Sequence, residues 1–235
     1  MIQLYFWATP NAYKVSILLE ELGLPYKVLP IHIGKGEQFS EHFLTISPNN
    51  KIPAIVDEDG PGGKPLSVFE SGAILIYLAN KVQSQLLPSD PEKYYQVMQW
   101  LMFQMGSLGP MLGQAHHFRK YAPEKLPYAI DRYTNEAARL YGVMDKRLSH
   151  TRFFGGDDYS IADISIYPWL RAYKLQGQNL SDWHHIQRWY SELRARPQVQ
   201  KGLAVLSDKV DKSGEKPKDE RWENLFGKGQ FRDLK

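Results

Sequence analysis

Along the chain, two hydrophobic regimes follow one another. Up to residue 81 short apolar runs alternate with helically spaced apolar residues; beyond residue 92 helical spacing prevails. Residues 2–7 (IQLYFW) form an apolar and aromatic run of strand length, read as a buried strand. Thr9-Pro10-Asn11 interrupts it. Val15, Leu18, Leu19 and Leu22 then recur at helical spacing until Gly23 and Pro25 stop the helix. Residues 26–33 alternate and predict a second strand, followed by a flexible loop, Gly34-Lys35-Gly36-Glu37-Gln38-Phe39. Ile52-Pro53 opens a third run, Ala54-Ile55-Val56. A turn rich in Gly and Pro covers residues 59–65, residues 66–69 read as a strand, and Glu70-Ser71 opens a helix to Lys81.

The remainder reads as helices behind a polar linker at residues 84–91. Residues 98–113 are rich in Met, Trp and Phe, and suit either a substrate pocket, a dimer face or ordinary core; Pro110 is expected to kink or break its helix. Residues 128–148 predict a helix carrying Arg132, Arg139 and Arg147. Ser160-Ile161-Ala162-Asp163 is a capping-box variant, a folding signal rather than a catalytic one. Trp169, Trp183, Trp189 and Tyr190 are expected in the core, and Arg196-Pro197 ends their helix. From Asp211 the stretch DKSGEKPKDE lacks apolar anchors and predicts a mobile tail. Trp222, Leu225, Phe226 and Phe231 then return, as for a segment that folds back on the body or covers a pocket.

The length, 235 residues, allows one or two domains. The net charge of +3 comes from Lys and Arg scattered among Asp and Glu, which argues against nucleic acid as a partner. No cysteine is present, so structural disulfides, Cys-based zinc sites and a Cys-x-x-Cys motif are excluded. Any sulfur that reacts here must come from a ligand or substrate. Neither a signal peptide nor a membrane span is legible, and a cytoplasmic protein is expected. His116 and His117 point about 100° apart on a helix and cannot share one ion, so no metal is expected. Gly-x-Ser-x-Gly is absent, and GKG lacks the ending of a phosphate loop.

The chemistry concentrates between Ser47 and Lys81. A Pro at a strand entry belongs at an edge, and a cis Ile52-Pro53 bond would turn the Ile52 N–H and C=O outward to pair with an extended peptide. Ser71 at a helix N-terminus attracts a carboxylate, and Glu70 beside it suits an ammonium. Together they fit the head of an amino acid, although a plain cap and a first-turn charge would look the same. Thr9 and Asn11 sit where a helix N-terminus would hold a sulfur as thiolate; a plain Asn11 cap with Pro near the first position is the alternative. Tyr5 and Tyr13 are read as packing residues.

The blocks TPNAYKVSILLEELGLPY (residues 9–26), GKGEQF (34–39), SPNNKIPAIVD (47–57), FESGAILIYLA (69–79), GPMLGQAHHF (109–118) and YSIADISIYPW (159–169) resemble soluble glutathione transferases. They are most similar to the bacterial nu class, glutathione-dependent disulfide-bond oxidoreductases, with matches to about Leu206. The resemblance implies an α/β thioredoxin-like N-terminal domain (1–86), an all-α C-terminal domain (92–210) and a charged tail (211–235). It implies glutathione, reduced or as its disulfide, lying along Ile52 and Pro53, its head on Glu70 and Ser71 and its sulfur at Thr9 and Asn11. Gln38 would reach the glycine end and Lys51 the glycyl carboxylate, while Arg132 would reach glutathione in the other subunit of a homodimer. The implied activity is reduction of disulfides, with organic peroxides and weak conjugation of small electrophiles beside it. A non-catalytic binding or regulatory module on the same fold is the alternative.

Overall fold

The structure is a computed structural model and describes residues 1–209 and 216–231. The chain divides into two compact units, residues 1–74 with the described residues from Gly202 onward, and residues 75–201.

The first unit is built on a four-stranded sheet ordered β2-β1-β3-β4. The apolar run at the N-terminus becomes β1 (Ile2–Phe6), with Ile2, Leu4, Tyr5 and Phe6 all buried, as a strand flanked on both sides requires. β2 (Tyr26–Pro30) pairs parallel to it, Ile2 opposite Tyr26. β3 (Ala54–Asp57) runs antiparallel to β1 and to the edge strand β4 (Leu66–Phe69), with Ala54 opposite both Tyr5 and Phe69. The parallel pair needs a crossover, supplied by α1 (Pro10–Leu22), whose residues from Ala12 to Leu19 are all buried. Gly23 ends α1 in the left-handed region at φ 63°, returning its N–H to Glu20 and Leu19. α2 (Glu41–Ile46) is capped by the Ser40 hydroxyl, which accepts from Phe43 N–H at 3.3 Å. α3 (Ser71–Lys81) follows β4.

The second strand ends earlier than the alternation predicts. β1 runs out at Phe6, opposite Pro30, so after the bond from Ile31 N–H to Phe6 C=O residues 32–33 have no neighbouring strand. The chain turns instead through two 3-10 turns, Ile33–Lys35 and Glu37–Phe39. The expected loose loop is therefore packed, with Gly34, Gln38 and Phe39 buried.

The second unit contains α4 (Pro91–Phe103), α5 (Gly109–His116), α6 (Pro127–Leu148), α7 (Ile161–Leu170) and α8 (His184–Arg194); α9 (Pro197–Ala204) leads the chain back to the first unit. Pro91 opens α4 rather than closing the linker, capped by Asp90, which accepts from Lys93 N–H at 3.0 Å. The break expected at Pro110 is a change of ladder. A π-helical turn, Gln104–Leu108, passes into α5 with Pro110 in its first turn, where a missing N–H costs little. Asp163 in α7 is fully buried and accepts from Ser160 N–H at 3.0 Å, Ser160 Oγ at 2.9 Å, Phe154 N–H at 3.0 Å and Trp189 Nε1 at 2.8 Å. Burial pushes its carboxyl up to about 6 while these donors pull it down. Of the aromatic residues expected in this core only Trp189 is fully buried; Trp169, Trp183 and Tyr190 are half-buried. Trp189 is the one whose N–H has Asp163 to satisfy it inside.

Of the stretch expected to be mobile, residues 211–215 lie outside the described residues. The chain is helical again from Asp219: α10 (Asp219–Leu225) and a 3-10 turn, Lys228–Phe231, fold back on the first unit. Among the described residues no helix is long and apolar enough to cross a membrane.

Candidate functional site

A cleft of about 240 Å³ opens in the first unit where the starts of α1 and α3 meet the entry of β3. Asn11, Lys51, Ile52, Pro53, Glu70 and Ser71 line it together, and Ser47, Asn49 and Phe69 complete its wall. Residues more than fifty positions apart in the sequence thus share one small volume.

The start of α1 is capped by Thr9, not Asn11. Thr9 is extended (φ −130°, ψ 158°), and its Oγ1 accepts from Ala12 N–H at 3.4 Å, with Pro10 at the first helical position. That places Asn11 inside the first turn, where capping does not claim its side chain. Thr9 accepts in the cap and keeps its own hydroxyl proton to donate.

The segment before β3 is pinned from below. Ser47 is fully buried and donates from Oγ to the Lys51 carbonyl at 2.8 Å. Ile52 packs its side chain on the cluster of Tyr5, Phe43, Ile46 and Ala54. Among the described residues its N–H and C=O have no hydrogen-bond partner, and the Ile52–Pro53 peptide is cis. Ile52 therefore presents to the cleft an open backbone edge whose side chain is anchored in the core.

At the start of α3, Glu70 takes φ 70°, a left-handed conformation that costs a residue with a Cβ about 1–2 kcal/mol. Its carbonyl accepts from Ile74 N–H at 2.9 Å, so Glu70 holds the cap position and Ser71 is the first helical residue. Ser71 is 3% exposed, with its hydroxyl held from behind by Lys14 Nζ at 3.2 Å. Lys14 is itself 1% exposed; burial lowers its pKa to about 7, against the opposite pull of Glu70. The sequence reading passed over Lys14. Its one signal is a charged residue between Tyr13 and Val15, in a helix otherwise apolar on that side.

Three candidates lie outside the cleft wall: Thr9, Gln38 and Arg132. Gln38, expected to reach out of a loop, is 4% exposed and donates from Nε2 to the Asn224 carbonyl at 3.3 Å. Arg132 sits on α6 in the helical unit, its guanidinium 3.8 Å from Glu136, a carboxylate that also holds Arg139 at 2.7 Å. Lys51, in the cleft, donates from Nζ to Gln230 Oε1 at 2.8 Å, and desolvation lowers its pKa below the usual lysine range. A larger hollow of about 1090 Å³ lies within the helical unit, walled in part by Asp90, Lys93, Arg147 and His150, and holds none of the candidates. The smaller cleft has what a ligand of mixed charge needs, a carboxylate, an ammonium and a helix start around an open backbone edge.

Residues 1–80 match the N-terminal domain of glutathione S-transferases, and residues 109–197 match their C-terminal domain. The chain is 49% identical over 207 residues to the disulfide-bond oxidoreductase YfcG of Escherichia coli K12, covering 88% of this chain and 95% of that protein. Among solved structures it is similar to a glutathione transferase of Burkholderia graminis with two glutathione molecules bound per subunit, at a TM-score of 0.83 and 46% identity, with 88% of each chain covered. It is also similar to one of Pseudomonas putida with one glutathione disulfide bound per subunit, at 0.82 and 46%, covering 87% of this chain and 91% of that one. With both domains matched and the sheet and helices in the corresponding order, the chain belongs to the glutathione S-transferase family.

Proposed function

We propose that this protein is a glutathione-dependent disulfide reductase, cytoplasmic and homodimeric. The observation that carries the reading is the convergence, in one cleft, of the open Ile52 backbone, the Lys51 ammonium and the Glu70–Ser71 pair at the start of α3. The γ-glutamyl carboxylate meets the Ser71 hydroxyl and the first N–H groups of α3, with Lys14 behind them. Glu70 takes the α-ammonium. Ile52 pairs its N–H and C=O with the cysteinyl unit, with Pro53 beside it in the wall, and Lys51 takes the glycyl carboxylate. Gln38 supports the glycine end through its turn, and Arg132 of one protomer reaches glutathione held by its partner.

At the start of α1, Asn11 in the cleft wall and Thr9 at the cap hold the sulfur as thiolate, helped by the positive end of the helix dipole. Glutathione supplies the chemistry: its thiolate opens the substrate S–S bond, releasing one substrate thiolate and leaving a mixed disulfide, which a second glutathione thiolate resolves to glutathione disulfide and the other substrate thiol. With no cysteine in the chain, both electrons come from the two glutathiones. The same thiolate reduces organic peroxides and conjugates electrophilic carbons weakly. The disulfide oxidoreductase among the relatives, and the bound glutathione and glutathione disulfide among the similar structures, support disulfide reduction as the reading.

The test is a coupled assay with purified protein, 2-hydroxyethyl disulfide, glutathione, glutathione reductase and NADPH. NADPH oxidation proportional to protein is expected. A rate no greater than without protein, with glutathione still bound, overturns the enzymatic reading in favour of a binding module.

A further inference from the structure

The C-terminal segment is locked to the first unit by Asn224. This residue is 1% exposed; its Nδ2 donates to the Gly34 carbonyl at 3.1 Å, and its own carbonyl accepts from Gln38 Nε2. The approach is close at the glycines of the turn. A Cβ on Gly36, which holds φ 81°, would lie 3.3 Å from Asn224 Nδ2, and one on Gly34 would lie 3.3 Å from Arg221 Cγ. A buried residue held through both its side-chain amide and its backbone carbonyl fixes α10 in place. The 3-10 turn beyond it then sets Gln230 Oε1 2.8 Å from Lys51 Nζ, on the ammonium that lines the cleft.

We propose that Gln230 is an intramolecular competitor for Lys51, occupying with a neutral amide oxygen the donor that a ligand's terminal carboxylate would take. The inference rests on the reading of the cleft as a glutathione site. Gln230 takes one of the three donors of the Lys51 ammonium and holds the side chain toward itself, so a carboxylate, which accepts a stronger, charge-assisted bond than an amide, must draw Lys51 away from a partner it already has. Glutathione is therefore held less tightly at its glycine end than the cleft alone would hold it, while the head-group end is untouched. A ligand that stops before the glycine, γ-glutamylcysteine, does not need Lys51 and does not meet the competitor.

The experiment is calorimetric titration of the full chain with glutathione and with γ-glutamylcysteine. Gln230→Ala tightens glutathione about fivefold, the size of one exposed hydrogen bond to a charged group, and leaves γ-glutamylcysteine unchanged. Gln230→Glu, which gives Lys51 an internal carboxylate, weakens glutathione about fivefold or more and again spares γ-glutamylcysteine. In a Lys51→Ala background neither change at Gln230 alters glutathione binding. Unaltered glutathione affinity in Gln230→Ala, or an equal change for both ligands, overturns the proposal while the cleft reading stands. Failure of both ligands to bind the parent protein overturns the cleft reading itself, and this proposal with it.

Discussion

Lys14 Nζ donates a 3.2 Å hydrogen bond to Ser71 Oγ from inside the first unit, joining the middle of α1 to the first residue of α3. The bond puts a buried amine directly behind the hydroxyl that faces the cleft. Desolvation is the larger influence on that amine and the Glu70 carboxylate the smaller, and the balance leaves its pKa about 7. Ser71 and Glu70 thus share a neighbour whose charge burial makes much easier to lose than that of an ordinary lysine.

Stability should carry the mark of this amine. Its pKa is about 7 folded and near the ordinary 10.5 unfolded, so between those values the unfolded chain binds a proton the folded chain lacks. Stability from this group therefore rises with pH across that window, by about 2 kcal/mol between pH 7 and pH 9. Urea midpoints at the two pH values should show the rise in the parent and lose it in Lys14→Met. An equal rise in both proteins would mean that Lys14 does not titrate there.

Ser71→Ala should weaken glutathione about tenfold, removing a hydrogen bond to a charged group. Calorimetry reads the change, and an unaltered dissociation constant would remove Ser71 from the head-group assignment.

Glu70→Gly separates binding from stability. Glycine relieves the left-handed strain at φ 70° but adds freedom to the unfolded chain, so stability should stay within about 1 kcal/mol of the parent. Glutathione binding should fall more than about tenfold, because the partner of the ammonium is gone. Retained binding would assign the ammonium elsewhere.

Asn11→Ala should lower kcat in disulfide reduction more than it raises KM if Asn11 has the proposed role of stabilising the thiolate, since Thr9 and not Asn11 supplies the cap. Steady-state kinetics at several glutathione concentrations give the split. Equal effects on both constants would make Asn11 a residue that positions ligand.

Asp163→Ala should destabilise the protein by about 3 kcal/mol or more, leaving the Trp189 indole, the Ser160 hydroxyl and two backbone N–H groups without their acceptor. Equilibrium denaturation measures this. A cost below about 1 kcal/mol would mean that water replaces the carboxylate in that core.

Local patterns gave the order of strands and helices, because periodicity and capping are settled by neighbours a few residues apart. β3 (Ala54–Asp57) falls on the run at residues 54–56 with one residue more, β4 falls on the run at 66–69, and Asp163 accepts from Ser160 N–H as its spacing requires. The motif residues Asn11, Lys51, Ile52, Pro53, Glu70 and Ser71 were also legible, since a helix start, a proline-marked strand entry and an acidic residue beside Ser are readable where they stand. What lay beyond reach were pairings across the fold. The end of β2 depended on where its neighbour stopped, and the packing of Gln38 depended on Asn224.

By itself, then, the sequence determined the elements, the absence of a reactive sulfur and the residue types offered to a ligand. Only the tertiary structure decided that Lys14 stands behind Ser71, that Ile52 keeps an open backbone over a side chain packed on the core, and that Gln230 rests on Lys51. The physical reason is separation. These contacts join residues far apart in the chain, and no local propensity carries the position of a partner that arrives only when the chain packs.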